Sequence, residues 1–101
     1  MSYSIVFTSF ADRDLEEAAK WYESKRALLG WEFRNEVSSA IDKIMDDRVD
    51  YQIFTDKVRK LRLIKFPYHI FYIKDHKSQK IVVLGLFHFK TNPEKIKRLL
   101  G

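Results

Sequence analysis

One change of hydrophobic period divides this chain. From Ala11 to Ile44 apolar side chains recur at three- and four-residue steps, the spacing of one helix face. From about Tyr51 onward they fall in extended runs rich in β-branched and aromatic residues: YQIF, KVRKLRLIKF, YHIFYIKD and KIVVLGLFHF. Neither half can bury its apolar surface alone, so the helices must cover a sheet built by the strands.

Tyr3 to Thr8 alternate and predict a first strand, and Ser9 with Asp12 supplies an S-x-x-D start signal for a helix. Ala11, Leu15, Ala18 and Tyr22 form its inner stripe, widened by Ala19 and Trp21, with Asp12, Glu16 and Glu23 on or near the outer side. After a break near Ala27 to Gly30, the positions Leu29, Phe33, Val37, Ala40, Ile41 and Ile44 predict a second helix. The short polar DHKSQK predicts a turn that makes Tyr68 to Asp75 and Lys80 to Phe89 antiparallel neighbours. Simple alternation in the last run puts Val82, Leu84, Leu86 and His88 on one face and Ile81, Val83 and Phe87 on the other, as in a central strand. Pro93 can start a short C-terminal helix with Ile96, Leu99 and Leu100 as its apolar stripe. The expected fold is α+β: an N-terminal strand, an αα-hairpin packed on a mostly antiparallel four-stranded sheet, and a short C-terminal helix.

At 101 residues, with 46% hydrophobic content, residues 1–101 are expected to form a single domain around one core. No apolar run approaches the ~20 residues of a bilayer-spanning helix, and the first residues lack a basic stretch leading into a long apolar one, so no membrane association and a cytoplasmic location are expected. The absence of cysteine agrees with a reducing compartment and removes thiolate chemistry. Charge is divided as sharply as period: residues 1–50 carry seven Lys/Arg against eleven Asp/Glu, net −4, and residues 51–101 carry twelve against three, net +9. The second half is suited to an anionic counterpart, phosphates or an acidic polypeptide.

The three histidines, His69, His76 and His88, form no helical metal-binding pair, and no cofactor is implied. Asp46, Asp47 and Asp50 lack the glycine and spacing of a calcium loop and read as a solvated helix end, as His76 reads as a solvated turn residue. No glycine-rich phosphate loop and no G-x-S-x-G elbow is present. What remains is the basic stretch Lys57, Arg59, Lys60, Arg62 and Lys65 with Lys90 nearby, as candidate contacts to nucleic acid or a protein partner. Arg62, His69 and His88 are the candidate catalytic groups, since a cation can hold the charge growing on a phosphodiester while an imidazole beside it moves protons. Alternation sends His69 to the face of Phe71 and Ile73, opposite Tyr68, Ile70 and Tyr72.

VRKLRLIKFPYHIFYI followed by KIVVLGLFHFKTNP resembles the RelE/ParE superfamily of toxins from type II toxin-antitoxin modules, which include plasmid stabilisation proteins. The similarity extends over nearly the whole chain. It includes A-x-x-D-L-x-x-A at Ala11, Asp14, Leu15 and Ala18, the Trp21-Tyr22 pair, and Phe33 and Ile41. Its most specific part is R-L-x-x-F-P-Y-x-I-x-Y, formed by Arg62, Leu63, Phe66, Pro67, Tyr68, Ile70 and Tyr72, followed by His88 and Pro93. The resemblance implies a small toxin neutralised by a cognate acidic antitoxin. It also implies one of two targets: translated messenger RNA on the ribosome, cleaved without metal by RelE-like members, or DNA gyrase, poisoned by ParE-like members. His69 stands where the nuclease branch has an arginine, and Thr91 where the H-x-x-R-x-P pattern has another. Arginine's fixed, permanently charged fork is lost at both, which favours the ParE-like side. A metal-independent ribonuclease and a non-catalytic module binding protein or nucleic acid are the alternatives.

Overall fold

The structure is a computed structural model and describes residues 3–100. Its elements run β1 (Ser4–Phe7), α1 (Ser9–Lys25), α2 (Leu29–Met45), β2 (Gln52–Thr55), β3 (Val58–Arg62), β4 (Tyr68–Asp75), β5 (Lys80–His88) and α3 (Pro93–Leu100). The sheet order is β1-β5-β4-β3-β2, parallel between β1 and β5 and antiparallel elsewhere. The expected α+β layout is present with five strands instead of four. YQIF and KVRKLR separate into a hairpin because Asp56 takes φ 48°, a left-handed conformation that aspartate tolerates better than most residues. No helix among the described residues is long and apolar enough to cross a membrane.

The cap of α1 is Thr8, one residue before the expected Ser9. Its backbone is extended and its Oγ1 accepts the Ala11 N–H at 3.0 Å, so Ser9 is already helical. The entry to α2 has no cap of its own: Leu28 sits at φ 72°, and the Glu23 carboxylate of α1 accepts the N–H groups of Leu28 and Gly30, each at 3.0 Å. A Cβ on Gly30 would lie 2.5 Å from the Ala19 carbonyl oxygen, so glycine sets how closely the two helices approach.

Both faces of the sheet are covered. On the helix-hairpin face Phe33, Val37, Ala40 and Ile44 of α2 and Ala11, Ala18 and Ala19 of α1 pack on Leu63, Ile70, Tyr72, Ile81, Val83 and Leu86. On the other face Val58, Phe71 and Phe87 are buried under Ile96 of α3.

Simple alternation in β5 fails at one point. Phe71 pairs with Gly85 but Tyr72 pairs with Val83, so Leu84 is an extra residue and β5 bulges. The bulge reverses parity. Ile81 and Val83 face the helices, and beyond it so does Leu86, whereas Leu84 and Phe87 face α3. His88 therefore follows Leu86 to the helix side, away from the face of Leu84 on which alternation placed it. Residues from the first elements satisfy the bulge: the Thr8 hydroxyl donates to the Leu84 carbonyl at 3.3 Å, and Asp14 Oδ2 accepts the Leu86 N–H at 3.1 Å. At Gly85 a Cβ would lie 2.8 Å from the Phe87 ring and 3.4 Å from Asp14 Oδ2, which leaves no room for a side chain.

Candidate functional site

On the face opposite the helical hairpin, β3 and β4 set Arg62 directly across from His69, and Lys60 across from Phe71. The Arg62 guanidinium lies 4.7 Å from the centre of the Phe89 ring, and the His69 ring is also 4.7 Å from Phe89. Lys60 and Lys97 place their ammonium groups 5.6 and 5.9 Å from the Phe54 ring. Cations resting on aromatic faces are held extended over the sheet, available to an anion. Burial, then the charges of Lys60 and Arg62, hold the His69 imidazole below its usual range, so it is neutral at physiological pH. This face can bind an anionic group and offers one neutral imidazole beside it.

His88 is elsewhere. It pairs with Tyr68, its ring 5.4 Å from the phenol, and lines a cleft of about 510 Å³ with Trp21, Tyr22 and Pro67 on the helix side. Its Nδ1 accepts the Lys90 N–H at 3.1 Å, which assigns the proton of the neutral ring to Nε2. The two candidate histidines are thus on opposite faces of the sheet and cannot act as an acid-base pair on one bond.

The expected basic residues do not form one patch. Lys60 and Arg62 share a face. Arg59 has the other parity and donates to the Tyr51 carbonyl at 2.6 Å, while Lys57 lines a cleft of about 660 Å³ with Asp50, Asp56 and Asp75. Lys65 lies beside α2 near Trp31 and Glu36, and Lys90 is exposed in the turn after β5. No metal-binding group of three His, Cys, Asp or Glu side chains occurs among the described residues.

One cluster is not in the sequence reading. The Lys74 side chain is only 4% exposed and caps the end of α2, donating to the Ile44 carbonyl at 2.6 Å and pairing with Asp47 Oδ1 at 2.8 Å. Its ammonium lies 4.9 Å from the Tyr3 ring. The Tyr3 hydroxyl donates to Asp47 Oδ1 at 2.6 Å, so it accepts from His76 Nδ1 at 2.9 Å. Asp47 and His76 are exposed, as expected, yet each is tied to Tyr3. The available signal was strand parity, which puts Lys74 on the same face as Ile70 and Tyr72.

No family model and no curated protein matches the chain. Solved structures do. A chain of the chromosomal ParDE toxin-antitoxin system of P. aeruginosa superposes with TM-score 0.65 at 14% identity, over 85% of this chain and 95% of that one. The fold is that of the RelE and ParE toxins. The RelBE2 toxin-antitoxin complex of Mycobacterium tuberculosis gives TM-score 0.57 at 17% identity, over 87% and 99%. A mutant of the E. coli toxin RelE in the free state gives 0.53 at 14%, over 99% and 100%. Within this RelE/ParE fold, the strand face carrying Arg62 and His69 and the helix-side cleft at His88 are separate surfaces.

Proposed function

We propose that this chain is the toxin of a type II toxin-antitoxin pair, nearer to ParE than to the RelE nucleases, and that a cognate acidic antitoxin neutralises it in the cytoplasm. The observation that carries the reading is the likeness of fold, over 85% to 99% of this chain, to chains of the ParDE and RelBE2 toxin-antitoxin systems and to the toxin RelE. The face of Lys60, Arg62 and Lys97, in a half-chain of net +9, supplies the charge an acidic antitoxin would meet. The separation of His69 from His88, together with Thr91 in place of arginine, favours a gyrase-type target over messenger RNA. Coexpression with the reading frame beside its gene tests the pairing: an acidic polypeptide should copurify and dissociate as salt is raised. Recovery of the chain alone from that coexpression would contradict the proposal.

A second reading has one observation in its favour. His69 is held neutral beside Arg62, a base next to a cation of the kind that could hold a phosphate, which is half of a metal-independent ribonuclease. Transcripts cleaved after induction, and still cleaved by the purified chain with ribosomes in EDTA, would establish it. Intact transcripts in growth-arrested cells would remove it.

A further inference from the structure

The cleft at His88 continues along α1 as a groove whose lining adds Asp14, Glu17 and Thr91 to Trp21 and Tyr68. In a chain of net charge +5, two carboxylates and no lysine or arginine line this groove. Asp14, Glu17 and Trp21 follow one another at helical spacing along one stripe of α1. Glu17 is exposed and makes no ion pair among the described residues.

The aromatic walls meet at steep angles. Trp21 and Tyr22 stand at 82°, Tyr22 and Tyr68 at 68°, Tyr68 and His88 at 75°. No neighbouring pair is parallel, so these contacts provide no sandwich for a flat base, but they turn electron-rich faces and edges toward a compact group from several directions. Trp21 already attracts such a group: the Lys25 ammonium lies 4.9 Å from its ring. Aromatic corners beside carboxylates that make no ion pair among the described residues complement an organic cation on a methylene stem.

We propose that this groove receives a basic side chain, arginine or lysine, of the neutralising polypeptide, its charge toward Glu17 and Asp14 and its methylenes against Trp21 and Tyr68. The identity of that polypeptide rests on the toxin reading; the chemistry of the groove does not. The divided charge of the chain gives the arrangement its logic. A partner that covers both the net +9 strand half and the net −4 helical half meets opposite fields and must carry acidic and basic segments accordingly.

The probe is N-acetyl-arginine amide, with the uncharged N-acetyl-citrulline amide as control and adenosine monophosphate as a competing class, titrated into the isotope-labelled chain by NMR. The arginine derivative should give saturable shifts confined to Trp21, Tyr22, Tyr68 and His88. Glu17→Gln should weaken it about two- to fivefold, as for one exposed ion pair, and Trp21→Ala should abolish it. Both positions are exposed, and an otherwise unchanged spectrum verifies that each variant is folded. Equal shifts from the citrulline derivative, stronger shifts at these residues from the nucleotide, or no saturable shift would each overturn the proposal. The titration contains no antitoxin, so its failure is distinct from failure to copurify a partner.

Discussion

His88 lies directly across from Tyr68, while His69, the next residue of β4, projects to the other side of the sheet. The bulge at Leu84 fixes this relationship, because without it His88 would share the face of His69. It places the only two histidines of the basic half that could share chemistry on separate surfaces.

His69→Ala, His88→Ala and the double variant are therefore expected to leave growth inhibition unchanged. Removing a general acid or base from a nuclease would instead lower cleavage about 100- to 10,000-fold. Growth curves at matched expression, with transcript integrity read in parallel, separate the two outcomes. Lys60→Glu combined with Arg62→Glu should weaken antitoxin binding about tenfold or more and flatten its salt dependence, measured by titration calorimetry.

The bulge makes a stability prediction. Asp14→Ala leaves the Leu86 N–H without its acceptor and should cost about 1–3 kcal/mol, whereas Asp14→Asn keeps an acceptor oxygen and should cost less. Gly85→Ala forces a methyl group against the Phe87 ring and should cost a similar ~1–3 kcal/mol. Urea unfolding of the three variants gives the ranking.

In the core, Phe33 is fully buried and meets the rings of Tyr22, Phe66 and Tyr68 within 5.3 Å. Phe33→Ala should cost about 3–5 kcal/mol, visible as a lower unfolding midpoint with an unchanged denaturant slope.

Acid should loosen the end of α2. Hydrogen bonding to Arg48 brings the Asp46 carboxyl down to about 2, and hydrogen bonds from Lys74 and then Tyr3 hold Asp47 below its usual range. A carboxylate depressed on folding contributes stability that is present above about pH 4, its unfolded value, and is lost as pH falls through the folded value. Melting temperature should fall between about pH 4 and 2. Asp47→Asn should melt lower at neutral pH and lose part of that acid-dependent decline.

The helical hairpin and the strand half were legible because period alone separates them: Phe33, Val37, Ala40 and Ile44 face inward as their spacing requires. The bulge was not, because alternation assumes an unbroken ladder; Gly85 inside an apolar run was the only local sign of it. The start of α1 moved by one residue because Thr8 and Ser9 can both cap, and the Thr8 hydroxyl has a second partner at Leu84. The basic stretch looked continuous because sequence order ignores pleat. Arg59 and Lys60 are neighbours in the chain and face opposite ways in the sheet, so only Lys60 and Arg62 of that stretch reach the face of His69. The Lys74 clamp depended on Asp47, 27 residues earlier, a distance that no periodicity bridges.

Growth after induction of this chain alone, compared with induction together with the acidic product of the adjacent reading frame, tests the toxin reading most directly. Arrest by the chain alone and relief by the pair is the predicted result. Equal growth in both cultures, with the folded chain present at the same level, would contradict it.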